Sequence, residues 1–259
     1  MAVLDDEPSR SYQRLSVARI NGAQVSTSII PAGRAEGGGD WCEAFALGAN
    51  LIALSIGDVC GHGMVKHAAM QALRGSIHDA LADGATPAAA IEIANDFLRA
   101  YDCDENATAI VGIVDMRRRT LRFANAGHPP PLMAGAWGAT FLEVPLADVP
   151  LGIGARVDAT THVVNIAPTT LVVLYTDGVS EHERDPITGA AELFAATLLA
   201  YEVPMTIPAA LIEERLVLTD ANRDDAAILT LRMPPAPIVR RPYATSPARP
   251  GSPAPSAFV

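Results

Sequence analysis

The chain has 259 residues, 49% of them hydrophobic, enough for one large domain or two small ones with a sizeable core. Aromatic residues make up only 5%, so that core has to be built mainly from Ala, Val, Leu and Ile. A formal net charge of -10 excludes nucleic acid as the main partner, because a phosphate backbone needs a basic surface, whereas a phosphorylated substrate stays admissible wherever metal cations supply local positive charge.

The opening stretch MAVLDDEPSR is acidic and polar, without the basic and apolar segments of a secretory signal. No apolar run approaches the roughly 20 residues that cross a bilayer, so no membrane partner is expected. Cys42, Cys60 and Cys103 are odd in number and form no metal-binding pair, which fits a reducing compartment. The protein is expected in the cytoplasm.

Residues 42–47 and 51–57 read as two strands around a Gly48-Ala49-Asn50 turn. Residues 64–82 read as a helix with Val65, Ala69, Leu73, Ile77 and Ala80 on one face. Thr86 is the expected N-cap of a second helix, with Pro87 in its first turn and Ile91, Ala94, Phe97, Leu98 and Tyr101 on its apolar face. Strands are expected near 107–115 and 119–126, joined by a polar turn through Met116-Arg117-Arg118-Arg119, and then near 140–144, 162–167 and 170–176. Helical segments near 190–201 and 207–219 precede a last strand at 226–232. Residues 233–259 hold 8 of the 20 prolines and three arginines with no acid, a composition that cannot offset its ordering entropy by burial, so they read as a disordered tail. Hairpin-length links imply antiparallel sheets, and helices clustered in pairs argue against a Rossmann-type alternation.

Four segments place an Asp at a strand end or a glycine-softened turn: Gly37-Gly38-Gly39-Asp40, Gly57-Asp58-Val59-Cys60-Gly61-His62-Gly63, Tyr175-Thr176-Asp177-Gly178 and Arg223-Asp224-Asp225. Singly, each reads as an ordinary turn residue. Converging, they would repel strongly without cations, and such hard oxygen ligands select magnesium, manganese or calcium over zinc. The six histidines include no HExxH pattern; there is no G-x-S-x-G elbow and no P-loop lysine. His67 and His78 read as surface or half-buried helix residues.

The ordered series GGD-W, GDVCGHG, TAIVGIVD, FANAGHPPPL, PLGIG, LVVLYTDGVSE and DDAAILTL, over about residues 15–232, resembles the SpoIIE-type branch of the metal-dependent, type 2C-like (PPM) serine/threonine protein phosphatases. The resemblance implies an α+β fold, an αββα four-layer sandwich of two antiparallel sheets flanked by helix pairs. It divides the chain into an N-terminal extension at 1–14, a phosphatase domain at 15–232 and the tail at 233–259. It also implies two divalent cations, Mn or Mg, that activate water for attack on phosphoserine or phosphothreonine. Asp58 resembles the carboxylate shared by both metals, the backbone carbonyl of Val59 an additional ligand, and Asp177 and Asp224 ligands of the first metal. Asp40 resembles the residue that holds metal-bound water, directly or from behind.

His62 resembles either a proton donor to the leaving serine oxygen or a loop-ordering histidine. His128 stands in a family motif that implies either substrate contact or a hydrogen-bonded turn. Arg34 is either a fork donor to substrate phosphate or a solvated arginine. Cys60, Glu43 and Ala227 depart from the family's usual residues; Cys60 reads as a buried small residue, with a redox-sensitive thiol as the alternative.

The family's usual substrate implies a phosphorylated STAS-type anti-sigma-factor antagonist as partner, in a bacterial partner-switching pathway. A phosphatase-fold binding module without catalysis and a small-molecule phosphatase are the alternatives. The recognisable domain begins within about the first 15 residues, which leaves no room for a preceding sensor, so control is expected from a partner in trans, self-association as a homodimer, or metal supply.

Overall fold

The computed structural model describes residues 15–32, 38–61, 63–101, 105–143, 149–153, 158–181, 186–216 and 224–236. The extension at 1–14, most of the tail, Arg34, His62 and Cys103 lie outside the described residues. Among the described residues no helix is long and apolar enough to cross a membrane.

The chain begins with a hairpin, β1 (Leu15–Ile20) and β2 (Ala23–Ile30), turned through Asn21-Gly22, both with positive φ (50° and 88°). That two-residue turn matches the twist of the strands, and Asn-Gly is the dipeptide that tolerates it. A second hairpin, β3 (Asp40–Ala46) and β4 (Leu51–Val59), follows, and then two helices, α1 (Gly63–Ala82) and α2 (Pro87–Ala100). Thr86 caps α2 as expected, its hydroxyl accepting from Ala89 N at 3.2 Å. The middle of the chain forms β5 (Ala107–Asp115), β6 (Thr120–Ala126), β7 (Leu132–Gly135), β8 (Gly138–Phe141), β9 (His162–Asn165) and β10 (Leu171–Tyr175). A single turn, α3 (Asp177–Ser180), leads to α4 (Pro186–Glu202), α5 (Pro208–Arg215) and β11 (Ala226–Arg232).

The strands form two antiparallel sheets, ordered β1-β2-β11-β10-β7-β8 and β3-β4-β5-β6-β9. Strand alternation builds three cores. On β4, Ile52, Leu54 and Ile56 face the interior between the sheets, where they meet Val172, Leu174 and Leu229. Ala53 and Val59 face the other way, onto Leu73 and Ile77 of α1 and Ile91 and Leu98 of α2. The outer face of the first sheet (Val173, Tyr175, Ile228) is covered by Leu193 and Ala200 of α4 and Ile212 of α5. The result is the expected αββα sandwich.

Two expectations fail locally. Val65 is 58% exposed, not part of the buried face of α1; the buried residue beside it is Lys66, at 8%. The strand near 140–144 is the shorter Gly138–Phe141, paired with a β7 the sequence pattern did not suggest.

Candidate metal centre

Asp40 opens β3 and Asp58 is the last residue but one of β4, and the antiparallel register sets them directly opposite each other. Asp177 opens α3, separated from β10 by Thr176 alone, and Asp224 is separated from β11 by Asp225 alone. These are neighbouring strands of the other sheet, so one end of the sandwich gathers acids from both layers.

Thr176 joins the layers. Its hydroxyl donates to Asp40 Oδ2 at 2.7 Å and accepts from Ala227 N at 2.8 Å. Asp225, the neighbour of the expected ligand Asp224, is 7% exposed and accepts from Ala32 N and Gly39 N, each at 2.8 Å. It thereby ties the loop before β3 to β11. Two adjacent acids at a strand entry point to opposite sides, and here the outer one, Asp224, is exposed while the inner one anchors the loop.

The glycines around these acids are required by close approach. A Cβ on Gly39 would run into the Lys66 stem and stand 2.6 Å from the Val59 carbonyl oxygen; one on Gly178 would run into the Asp225 carbonyl. The Val59 carbonyl thus lies against the same spot as the Lys66 side chain.

Electrostatics record the crowding. Burial and the charge of Asp58 hold the Asp40 carboxyl well above the usual range, with the Thr176 hydrogen bond pulling the other way. Asp177 is raised by burial and by the charges of Asp58 and Asp224. Lys66 answers this charge: its Nζ lies 3.5 Å from Asp58 Oδ1 and 3.3 Å from Asp225 Oδ2. Burial works to lower its pKa, but Asp58 and Asp225 outweigh that and raise it.

The residues fit divalent cations on two counts. Asp40, Asp58, Asp177, Asp224 and Asp225 are five carboxylates against the one ammonium of Lys66, and Asp58 Oδ1 is buried with no hydrogen-bond partner. In the side-chain positions shown, no three His, Cys, Asp or Glu groups among the described residues surround a single point at ligand distance. The Lys66 ammonium lies between two of the acids.

The other described candidates each have partners of their own. His128 is 5% exposed, and Asn125 pins its backbone on both sides, accepting from His128 N at 2.7 Å and donating to His128 O at 2.8 Å. Its Nδ1 is 2.8 Å from Thr108 Oγ1. These bonds are what a hydrogen-bonded turn requires, and the ring is largely covered by its neighbours. Cys60 is exposed, against the expectation of a buried residue, and desolvation and the charge of Asp58 keep its thiol protonated above the usual range. Glu43 Oε2 lies 3.3 Å from His78 Nδ1 on α1, and His67, half-buried, meets Gly38 O at 3.1 Å. Lys66 and Asp225 were both missed from sequence.

A family model described as Stage II sporulation protein E (SpoIIE) matches residues 48–234. Among solved structures, the RsbU and RsbW domains of Rv1364c from Mycobacterium tuberculosis superpose with a TM-score of 0.71 at 29% identity, over 83% of this chain and 62% of that one. The PP2C phosphatase domain of SpoIIE from Bacillus subtilis, with a fragment of its regulatory domain, gives 0.67 at 18% identity, over 87% and 64%. RsbX in complex with magnesium gives 0.66 at 14% identity, over 84% and 98%. The chain therefore spans less than two thirds of the length of the first two structures.

Proposed function

Since the chain belongs to the SpoIIE-type branch of the metal-dependent (PPM) protein serine/threonine phosphatases, we propose that it hydrolyses phosphoserine or phosphothreonine on a protein substrate, with two divalent cations, Mn or Mg, held by Asp58, Asp177, Asp224 and the Val59 carbonyl. The observation that carries this reading is the meeting of Asp40 and Asp58 from one sheet with Asp177 and Asp224 from the other, around an excess of negative charge. Bound there, the cations supply Lewis-acid activation of water and neutralise phosphoryl charge.

The protein's own groups do the rest. Thr176 orients Asp40, and Asp225 fixes the loop that carries it. In this reading His62 protonates the leaving oxygen and Arg34 meets the substrate phosphate. The substrate is a phosphorylated STAS-type anti-sigma-factor antagonist in the cytoplasm; a neighbour that joins RsbU and RsbW domains supports the partner-switching setting.

The test is manganese-dependent phosphate release from such a phosphoprotein by wild type and Asp177→Asn. Wild type is expected to turn over and the variant to lose activity by about 100-fold or more; equal turnover by both would remove the assignment. A second reading, a phosphatase-fold binding module without catalysis, draws on one observation, the Lys66 ammonium already seated among the acids. It requires tight partner binding with no metal uptake in calorimetry.

A further inference from the structure

Lys66 is the fourth residue of α1, and its side chain runs over Gly39 into the acidic end of the sandwich. Only about 8% of the residue is exposed. Such burial of a lysine is uncommon unless it is paired, and here both partners are carboxylates of the centre. Neither contact is tight: 3.5 and 3.3 Å are long beside the roughly 2.7–2.9 Å of a strong charge-assisted hydrogen bond.

The two partners differ in what they would lose if Lys66 left. Asp225 would keep its bonds from Ala32 N and Gly39 N. Asp58 Oδ1 has no hydrogen bond at all, so losing the ammonium would leave it free for another cation. The stem is long and unbranched, and the preceding residues Met64 and Val65 are 66% and 58% exposed, so the first turn of α1 lies at the surface and solvent is within reach of a displaced ammonium.

We propose that Lys66 is a displaceable counter-ion of the metal centre: its ammonium neutralises Asp58 in the metal-free protein and has to leave before the cations bind, which lowers their affinity. This rests on the metal-dependent reading above and adds a threshold to it, because the enzyme then responds to metal supply over a higher concentration range than its carboxylates alone would set. A site open for a fraction of the time has its apparent affinity reduced by that fraction, so a lysine in place nine-tenths of the time weakens binding about tenfold.

The experiment is calorimetric titration of the metal-free full chain with manganese chloride, for wild type, Lys66→Met and Lys66→Arg, beside thermal unfolding of each with and without manganese. Lys66→Met is expected to bind manganese about tenfold or more tightly, to melt lower when metal-free, and to show a larger rise in melting temperature on manganese addition. Lys66→Arg, which keeps a cation, stays within about threefold of wild type. Manganese affinity in Lys66→Met equal to or weaker than wild type overturns the proposal and leaves the metal reading intact. If neither protein takes up manganese, both fall; uptake by Lys66→Met but not by wild type supports the proposal. Should Lys66→Met fold only with metal present, competition against a chelator from the loaded state replaces the titration, and release at wild-type chelator concentrations overturns the proposal.

Discussion

Thr176 Oγ1 donates to Asp40 Oδ2 at 2.7 Å, a bond between the residue that leads into α3 in one sheet and the first residue of β3 in the other. Both are buried, and the same hydroxyl accepts from Ala227 N. Thr176→Val keeps the shape and removes both bonds, leaving a buried N–H and a buried carboxyl oxygen unserved. The expected loss of stability is about 1–3 kcal/mol, read by urea unfolding. The Thr176 bond holds the Asp40 pKa down, so in the variant Asp40 stays protonated to higher pH. The acid limb of the phosphatase pH–rate profile therefore moves upward.

Asp177→Asn separates function from stability. The carboxylate is raised in pKa by burial and by Asp58 and Asp224, so its charge destabilises the metal-free fold. Removing that charge is expected to raise the melting temperature of metal-free protein by about 1–3 °C, a gain trimmed by solvent screening at this part-exposed site, while activity is lost. Because the raised pKa makes the wild type bind a proton more readily folded than unfolded, the gap between wild type and variant narrows below the folded pKa of Asp177 and is full above it. Scanning melts of the two metal-free proteins from pH 4 to 8 check this.

The four aspartates stand out as candidates in the sequence because an acid at the end of an apolar strand, flanked by glycine, is a local conflict that only a turn or a site resolves. The αββα fold followed from motif order, and most strands from apolar runs. Lys66 was not legible. Periodicity assigned Val65 to the buried face because the rest of α1 packs on the second sheet, but its first turn looks into the carboxylates, where a lysine is the better neighbour. Asp225 was hidden beside Asp224, since only the strand's direction decides which acid turns inward. The first hairpin carries its own signal, Asn21-Gly22 between two strand-forming segments. The four-residue β7, following Pro129-Pro130-Pro131, carries too little sequence to be told from a loop.

Two glycine-to-alanine changes should move stability in opposite directions. At Gly178 the added methyl would collide with the Asp225 carbonyl, a backbone atom that cannot give way without shifting β11 against α3. A loss of about 1–3 kcal/mol and impaired metal binding are expected. Gly75, inside α1, has nothing within 4 Å of the new methyl, so Gly75→Ala should stabilise by about 0.5–1 kcal/mol through helix propensity and leave catalysis unchanged. Denaturant midpoints and manganese titrations of both variants are the measurements.

His128 makes the fold sensitive to acid from an unexpected side. Burial pushes its pKa down to about 3, with the Tyr175 backbone acting in the opposite direction, so the native ring is neutral. The unfolded chain, with a histidine near pKa 6.5, takes up a proton that the folded chain refuses. The stability tied to the neutral ring is therefore complete above pH 6.5 and is lost as pH falls from there toward 3, at about 1.4 kcal/mol for each pH unit crossed. His128→Gln removes this linkage: whatever it costs near pH 7 through the lost Thr108 contact, its stability should decline less steeply between pH 6.5 and 4 than that of wild type. Urea unfolding at several pH values gives the two slopes, and parallel slopes would mean that the ring protonates in the native state. Ring 15N shifts at pH 5 answer the same question directly, since a neutral His128 at that pH requires that its buried turn stay closed to water.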